Sequence, residues 1–336
     1  MNYIKNSEIK AVSLIFFISY LTILIGIFFN EDSLGGARVD YLYHLNIADN
    51  FRFNFFETWK GFGYGDTGLQ TRNSPLFWVI ISFLNKFISI DIIRSLNSIV
   101  SILISFIFFK CVCLKFKDVN KIKLAFLVCS IIFLSPTIRS LSIWPYSLVW
   151  GIFFFILSIY NLLLFFESKT KTKKNISTFL SIFCLAISSY FYPSFAFFIF
   201  FLLFKFYENS IFFWGILLLN FILSLPALFF ILWKGFYFFG AQGVENLSKI
   251  TSFNLSSKII IITSLILYFL IPILDFEETI KKIKNQFNIK VFFLIIFISL
   301  CLPFFFDYPF FSTGGFGGGF FHKISNIIFN NNFLLF

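Results

Sequence analysis

Asp40 and His44 lie four residues apart in the polar stretch that opens at Asn30, so on a helix they share one face. A carboxylate held at a membrane surface can act as a general base, drawing the proton from an acceptor hydroxyl. The same two residues also suit a plainer arrangement, in which Asp40 caps a surface helix and pairs with His44. Asp49 falls roughly opposite Asp40 on a helix and makes a weaker partner. Further on, Asp66 lies among the glycines of Gly61–Gly68, and Arg72 and Asn73 lead into Ser74-Pro75 and an apolar run. Spaced glycines without a strand–helix context are weak evidence for a phosphate loop. A solvated loop at the rim of a substrate site is the expectation for these three. Arg139, in Ser135-Pro-Thr-Ile-Arg, falls at the ends of two apolar segments. A cation there can neutralise a lipid phosphate or simply snorkel to the headgroups. His322 and Lys323 follow Thr313-Gly-Gly-Phe-Gly-Gly-Gly, whose amides can form an anion nest or a flexible linker.

The rest of the chain sets what must position these residues. Its 336 residues are 58% hydrophobic and 13% charged, with 59 phenylalanines. Globular chains run at roughly 45–50% apolar and about 25% charged, so a soluble fold and a disordered chain are both excluded. The reading is an all-α polytopic membrane protein, a single domain over 1–336. The five cysteines lie in apolar runs with no acidic or histidine neighbour, and Cys111 and Cys113 project from different sides of a helix. Neither a disulfide framework nor a zinc site is expected. No cofactor is required by these residues, and a divalent metal is left open.

A span needs about 20 apolar residues. The candidates are 11–29, 95–114, 124–138, 145–166, 176–190, 192–207, 211–233, 258–274 and 291–306, with a last apolar stretch from Ile324 to Phe336 that reads as incomplete. That gives about nine or ten helices and a long first loop, 30–94, carrying interfacial helices. The loop contains a further apolar stretch, 74–90, interrupted by Asn85 and Lys86. If it crossed the bilayer, the basic loop 115–123 would share a side with the acid-rich first loop. If it lies in the interface or re-enters, the basic loops 115–123, 169–174 and 281–290 all join the N-terminus on one side. The second choice satisfies the positive-inside rule throughout. The cytoplasmic side then carries fifteen lysines, or sixteen with Lys110 at a helix end, against seven acids, and the outer side eleven basic residues against nine acids. The net charge of +11 is mostly orientation, and a nucleic-acid partner loses its support. The N-terminus is expected in the cytoplasm, and any chemistry on the outer face of a bacterial inner membrane.

A first span, a long outer loop opening with an acidic residue and a proline-led apolar segment before the second span together resemble the type C glycosyltransferases. Asp40-Tyr-Leu-Tyr-His44 is similar to the Asp-Glu-x-x-His pattern of dolichyl-phosphate-glucose glucosyltransferases. Asn73-Ser-Pro-Leu-Phe-Trp78 resembles the Pro-Pro-Leu-Tyr-Tyr segment of the protein mannosyltransferases. Arg94 matches the arginine that often opens the second span, and the corner from Ser135 to Arg139 also fits. The second acid of the pattern is Tyr41 here, and Glu31-Asp32 offers another acidic pair nearer the membrane, so the base can be Asp40 or Asp32. The resemblance covers roughly residues 11–166. It implies transfer of a sugar from a polyprenyl-phosphate donor to a glycan, lipid or protein acceptor, with inversion. Asp40 would deprotonate the acceptor, and Arg139, or His322 and Lys323, would stabilise the leaving phosphate. The alternatives are a polymerase or ligase of surface glycans using lipid-diphosphate-linked donors, and a flippase or transporter without bond chemistry. The spans contain no paired carboxylates of the kind ion-coupled transport uses, and no convincing internal repeat.

Overall fold

The computed structural model describes residues 2–31, 37–62, 74–116, 129, 136–206, 209–234 and 266–273. Among them every regular element is helical. In chain order these are α1 (Asn2–Phe28), α2 (Ala37–Phe53), α3 (Phe55–Gly61), α4 (Leu76–Leu84), α5 (Ile90–Lys115), α6 (Pro136–Ile143), α7 (Ser147–Glu167), α8 (Lys171–Phe191), a 3-10 turn (Pro193–Phe197), α9 (Phe198–Lys205) and α10 (Ser210–Lys234). Four stretches are long and apolar enough to cross a bilayer: Lys10–Phe28, Ile90–Lys115, Ser147–Glu167 and Ile211–Phe229. The chain is an all-α membrane protein. Of the other expected spans, 291–306 lies outside the described residues and 124–138 and 258–274 lie partly outside them. The expected span 176–190 falls within α8. The one expected at 192–207 takes a different form, because Pro193 opens a 3-10 turn and only the eight residues of α9 follow. Tyr192 before the proline is extended, as the proline ring demands of its predecessor.

The interrupted stretch 74–90 folds as α4, which Pro75 starts and Asn85 ends. Nine residues rise only about 14 Å, under half the hydrocarbon thickness of a bilayer. α4 by itself is too short to cross, and α1 and α5 are the candidate spans on either side of it. Contacts confirm which ends meet. Gly26 near the close of α1 abuts Ile143 and Arg139 of α6, and Asn97 near the start of α5 bonds to α6 as well. At the opposite end, Lys174 at the start of α8 lies over the Phe165 ring near the end of α7. One end of the bundle thus carries α2, α3, α4 and α6, and the other carries the lysines that open α8.

Small polar residues let α7 and α8 approach. Ser188 donates to the Gly151 carbonyl at 2.8 Å, and the hydroxyls of Ser158 and Ser181 lie 3.1 Å apart between α7 and α8. Small side chains and inter-helix hydrogen bonds take over where lipid offers no hydrophobic drive to associate. A main core of Phe108, Phe109, Phe155, Ile156 and Ile159 runs down the bundle, and a second cluster of Ile47, Phe51, Phe77, Trp78 and Phe191 joins α2 and α4 to the top of α8.

Asn97 is fully buried and ties three elements together. Its amide donates to the carbonyls of Leu141 and Ser142 at 2.9 and 3.0 Å, and its oxygen accepts from the Trp150 indole at 3.2 Å. Asn97→Leu would strand the Leu141 carbonyl and the Trp150 N–H, each costing about 1–3 kcal/mol when buried. The expected outcome is a clear fall in the unfolding midpoint in detergent. An unchanged midpoint would mean that other groups satisfy both atoms.

Candidate functional site

The site end is organised by the way α1 stops. Asn30 adopts a left-handed conformation, with φ of 46°. Its N–H bonds to the Ile27 carbonyl and that of Glu31 reaches back to Gly26, the paired bonds of a Schellman cap. Asparagine tolerates this conformation better than most residues, which is why the helix can turn off here. The cap fixes Glu31, whose carboxylate receives Arg139 in a fork, Nε at 2.7 Å from one oxygen and a terminal nitrogen at 2.8 Å from the other. Both side chains are more than four-fifths buried. The Glu31 carbonyl also accepts from the Trp144 indole at 3.0 Å. Arg139, expected to meet a lipid phosphate, therefore has a carboxylate partner on its own chain.

Trp144 is the centre of this corner. Arg94 lies over its ring at 4.6 Å and Arg38 at 5.5 Å, so two guanidinium groups face one buried indole. Such stacking favours arginine over lysine, since the planar cation spreads over the π face. Arg94 also meets Asp91 at 3.9 Å, a long contact to a largely exposed carboxylate that is worth little by itself. Tyr41 packs against Trp144 with ring centres 5.7 Å apart. Burial pushes the Tyr41 hydroxyl above its ordinary range, with the Arg94 cation opposing and Asp91 and Asp49 adding to the rise. It stays protonated, so this position, which resembles the second acid of the glucosyltransferase pattern, holds no base.

One turn along α2, His44 is buried among aromatic rings. It stacks on Trp78 of α4, with ring centres 4.0 Å apart and planes at 29°, and lies 5.5 Å from Tyr146. Asp40 belongs to the same helix four residues earlier, as the spacing required. Its side chain is outside the described residues, as are Asp32, Asp66, Arg72, Asn73, His322 and Lys323. Of the expected site residues, the structure thus places His44 and Arg139 in detail and brings both to one end of the bundle. Sequence reasoning missed the Trp78 stack, the role of Trp144 and the Glu31 partner. These are contacts between elements far apart in the chain, and nothing in local spacing announces them.

Behind α4 lies an open cavity of about 580 Å³ among the described residues. Leu76 and Val79 of α4, Ala186 and Tyr190 of α8, and Leu223 and Ala227 of α10 contribute to its wall. The lining is overwhelmingly apolar. Ser74 donates to the Tyr190 carbonyl, which anchors the start of α4 to the end of α8. α4 is thus a shared partition, with Trp78 stacked on His44 and Val79 facing the cavity. Comparison of the chain with protein-family models, with curated proteins and with solved structures finds no match.

Proposed function

We propose that the chain is a membrane glycosyltransferase that moves a sugar from a polyprenyl-phosphate donor to a glycan, lipid or protein acceptor on the non-cytoplasmic face. The observation that carries the reading is the partition at α4, which sets an apolar cavity beside a corner rich in arginine, histidine and tryptophan. A lipid-linked sugar has that same division, a hydrocarbon chain joined to a phosphate and a polar ring. Burying the chain supplies binding free energy in proportion to the apolar area removed from water. The polar corner, level with the interface, is where the sugar and phosphate would then lie.

In this scheme Asp40 takes the proton of the acceptor hydroxyl. The acceptor oxygen attacks the anomeric carbon, and the bond from that carbon to the phosphate oxygen breaks with its electrons going to the phosphate. One displacement inverts the anomeric centre, and polyprenyl phosphate leaves. The growing negative charge calls for fixed cations. Arg94 and Arg38 stand at the corner, Arg139 would be shared between Glu31 and the phosphate, and His322 and Lys323 complete the set the sequence offers. About nine or ten spans, an N-terminus in the cytoplasm and a bacterial inner-membrane setting belong to the same proposal, and a divalent metal is compatible with it.

The direct test is purified full-length chain in nanodiscs with a radiolabelled polyprenyl-phosphate hexose. Release of polyprenyl phosphate together with label in an acceptor fraction is the expected result. A donor left intact with every acceptor class, alongside unchanged cell-surface glycan masses in a strain lacking the chain, would remove the proposal.

A further inference from the structure

Arg139 and Arg94, both at the polar corner, are held in different ways. Arg139 gives its fork to Glu31, with two nitrogens at 2.7 and 2.8 Å from the carboxylate oxygens. Among the described residues Arg94 has no such fork. Its Nε is shielded from water with no acceptor beside it, and the carboxylate it meets, that of Asp91, stands 3.9 Å away and is 83% exposed. The Arg94 head is held instead by the face of Trp144, with 4.6 Å between guanidinium carbon and ring centre. Stacking fixes the plane of a guanidinium and leaves the terminal N–H groups at its edge for another ligand. Tyr41 reaches the same indole from α2, with ring centres 5.7 Å apart. It is buried, and no group among the described residues takes the proton of its hydroxyl. Because burial keeps that hydroxyl protonated, it can donate, whereas an ionised carboxylate at this position could only accept. Arg38 brings a further cation over the same ring, at 5.5 Å.

One indole thus gathers a guanidinium edge, a neutral hydroxyl donor and a second positive charge, and each of them favours oxygen atoms that carry negative charge. The setting narrows which anion that is. Arg94 lies one turn inside the candidate span Ile90–Lys115, within reach of lipid headgroups. The common phospholipids there offer phosphodiesters, each with a single negative charge, so a site for any phosphate would be filled by the bilayer itself. A phosphate monoester carries about −1.5 to −2 charges at pH 7 and three acceptor oxygens. The higher charge gains more from fixed cations, and the added oxygen can accept from Tyr41 while the Arg94 edge holds the others.

We propose that Arg94 and Tyr41, set on the face of Trp144, form a site that prefers a phosphate monoester to a phosphodiester. What this does to turnover rests on the reading of the corner as a place of sugar transfer. There the donor is a diester, and the polyprenyl phosphate that leaves is a monoester. The product is then held more tightly than the donor, so it inhibits the chain, and its release limits the rate. Continued transfer requires a separate reaction that consumes a lipid phosphate monoester.

The test is a phosphorus NMR titration of the full-length chain in phosphatidylcholine nanodiscs. Ethyl phosphate is the monoester probe and diethyl phosphate the diester, so neither carries a lipid tail. The wild-type chain should bind the monoester several-fold more tightly. Arg94→Gln should weaken monoester binding by about tenfold or more, the scale of a lost hydrogen bond to a charged group. Tyr41→Phe, which keeps the ring on Trp144, should lower the preference for the monoester while diester binding holds. Asp91→Asn removes a competing charge at an exposed position and should tighten monoester binding a few-fold, so the site is tested even if the other variants do not fold. Equal affinity for the two esters, or a monoester affinity that neither Arg94→Gln nor Asp91→Asn moves, overturns the site. Polyprenyl phosphate placed in the bilayer should displace ethyl phosphate. If only inorganic phosphate does so, the occupant is a soluble monoester and the product role falls. Monoester binding by a chain that releases no polyprenyl phosphate from labelled donor upholds the site and removes sugar transfer.

Discussion

Arg139→Ala is expected to destabilise the folded chain by about 3 kcal/mol, the scale found when one partner of a buried ion pair is removed. The loss comes less from the missing attraction than from what is left behind. The Glu31 carboxylate would remain mostly buried beneath α6, with neither nitrogen of the fork to meet it. Glu31→Gln should cost less, because the long arginine side chain can turn its charge toward the headgroups. The double variant Glu31→Gln with Arg139→Gln should then recover part of the loss. Denaturant unfolding in mild detergent reads all three. If Arg139→Ala and Glu31→Gln cost the same and their effects simply add, the pair is not coupled and Arg139 is free for another ligand. Arg139→Lys separates charge from shape. It keeps the cation but not the fork, and should fall between wild type and alanine.

The second large effect concerns catalysis. Asp40→Asn should reduce sugar transfer by about 10²–10⁴-fold, the usual contribution of a positioned general base, while leaving expression and unfolding midpoint unchanged. Asp32→Asn is the necessary companion, since the acidic pair at Glu31-Asp32 is the other source of a base. Loss in the first variant alone assigns the base to Asp40, and loss in the second alone moves it to Asp32. Full activity in both would remove general-base catalysis by this loop. His44→Phe preserves a ring against Trp78 and tests whether the imidazole does more than pack. A purely packing role leaves turnover intact, and a catalytic one does not.

The legibility of this chain follows from the kind of information each feature needs. Pro75 and Asn85 bounded α4 in the sequence because a proline and a broken apolar run act locally, and the helix between them is nine residues long. The grouping of Asp40 and His44 on one helix was also readable, since spacing within a helix fixes which positions share a face. The stretch 192–207 was harder. Its hydropathy matches a span, yet Pro193 gives a 3-10 turn followed by a single short helix, and composition does not encode that division. The site depended on contacts at long range. Glu31 and Arg139 are 108 positions apart, and Tyr190 meets α10 more than 30 positions later. Charge counting placed Arg139 at a membrane surface but could not supply its partner. The cavity escaped for the same reason, because its walls come from α3, α4, α8, α9 and α10, far apart in the chain.

The α7–α8 hairpin implies an order of assembly. Its two long helices are joined by a short link and packed along their length, so its contacts are local in sequence and their closure entropy is small. It can form soon after both helices have been made. α1 is synthesised before α6, and Glu31 just after it cannot meet Arg139 until α6 has emerged more than a hundred residues later. The Schellman turn at Asn30 can be in place long before its carboxylate is neutralised. The polar corner is thus closed late, by an earlier helix waiting for a later one, and a chain halted before α6 lacks it altogether.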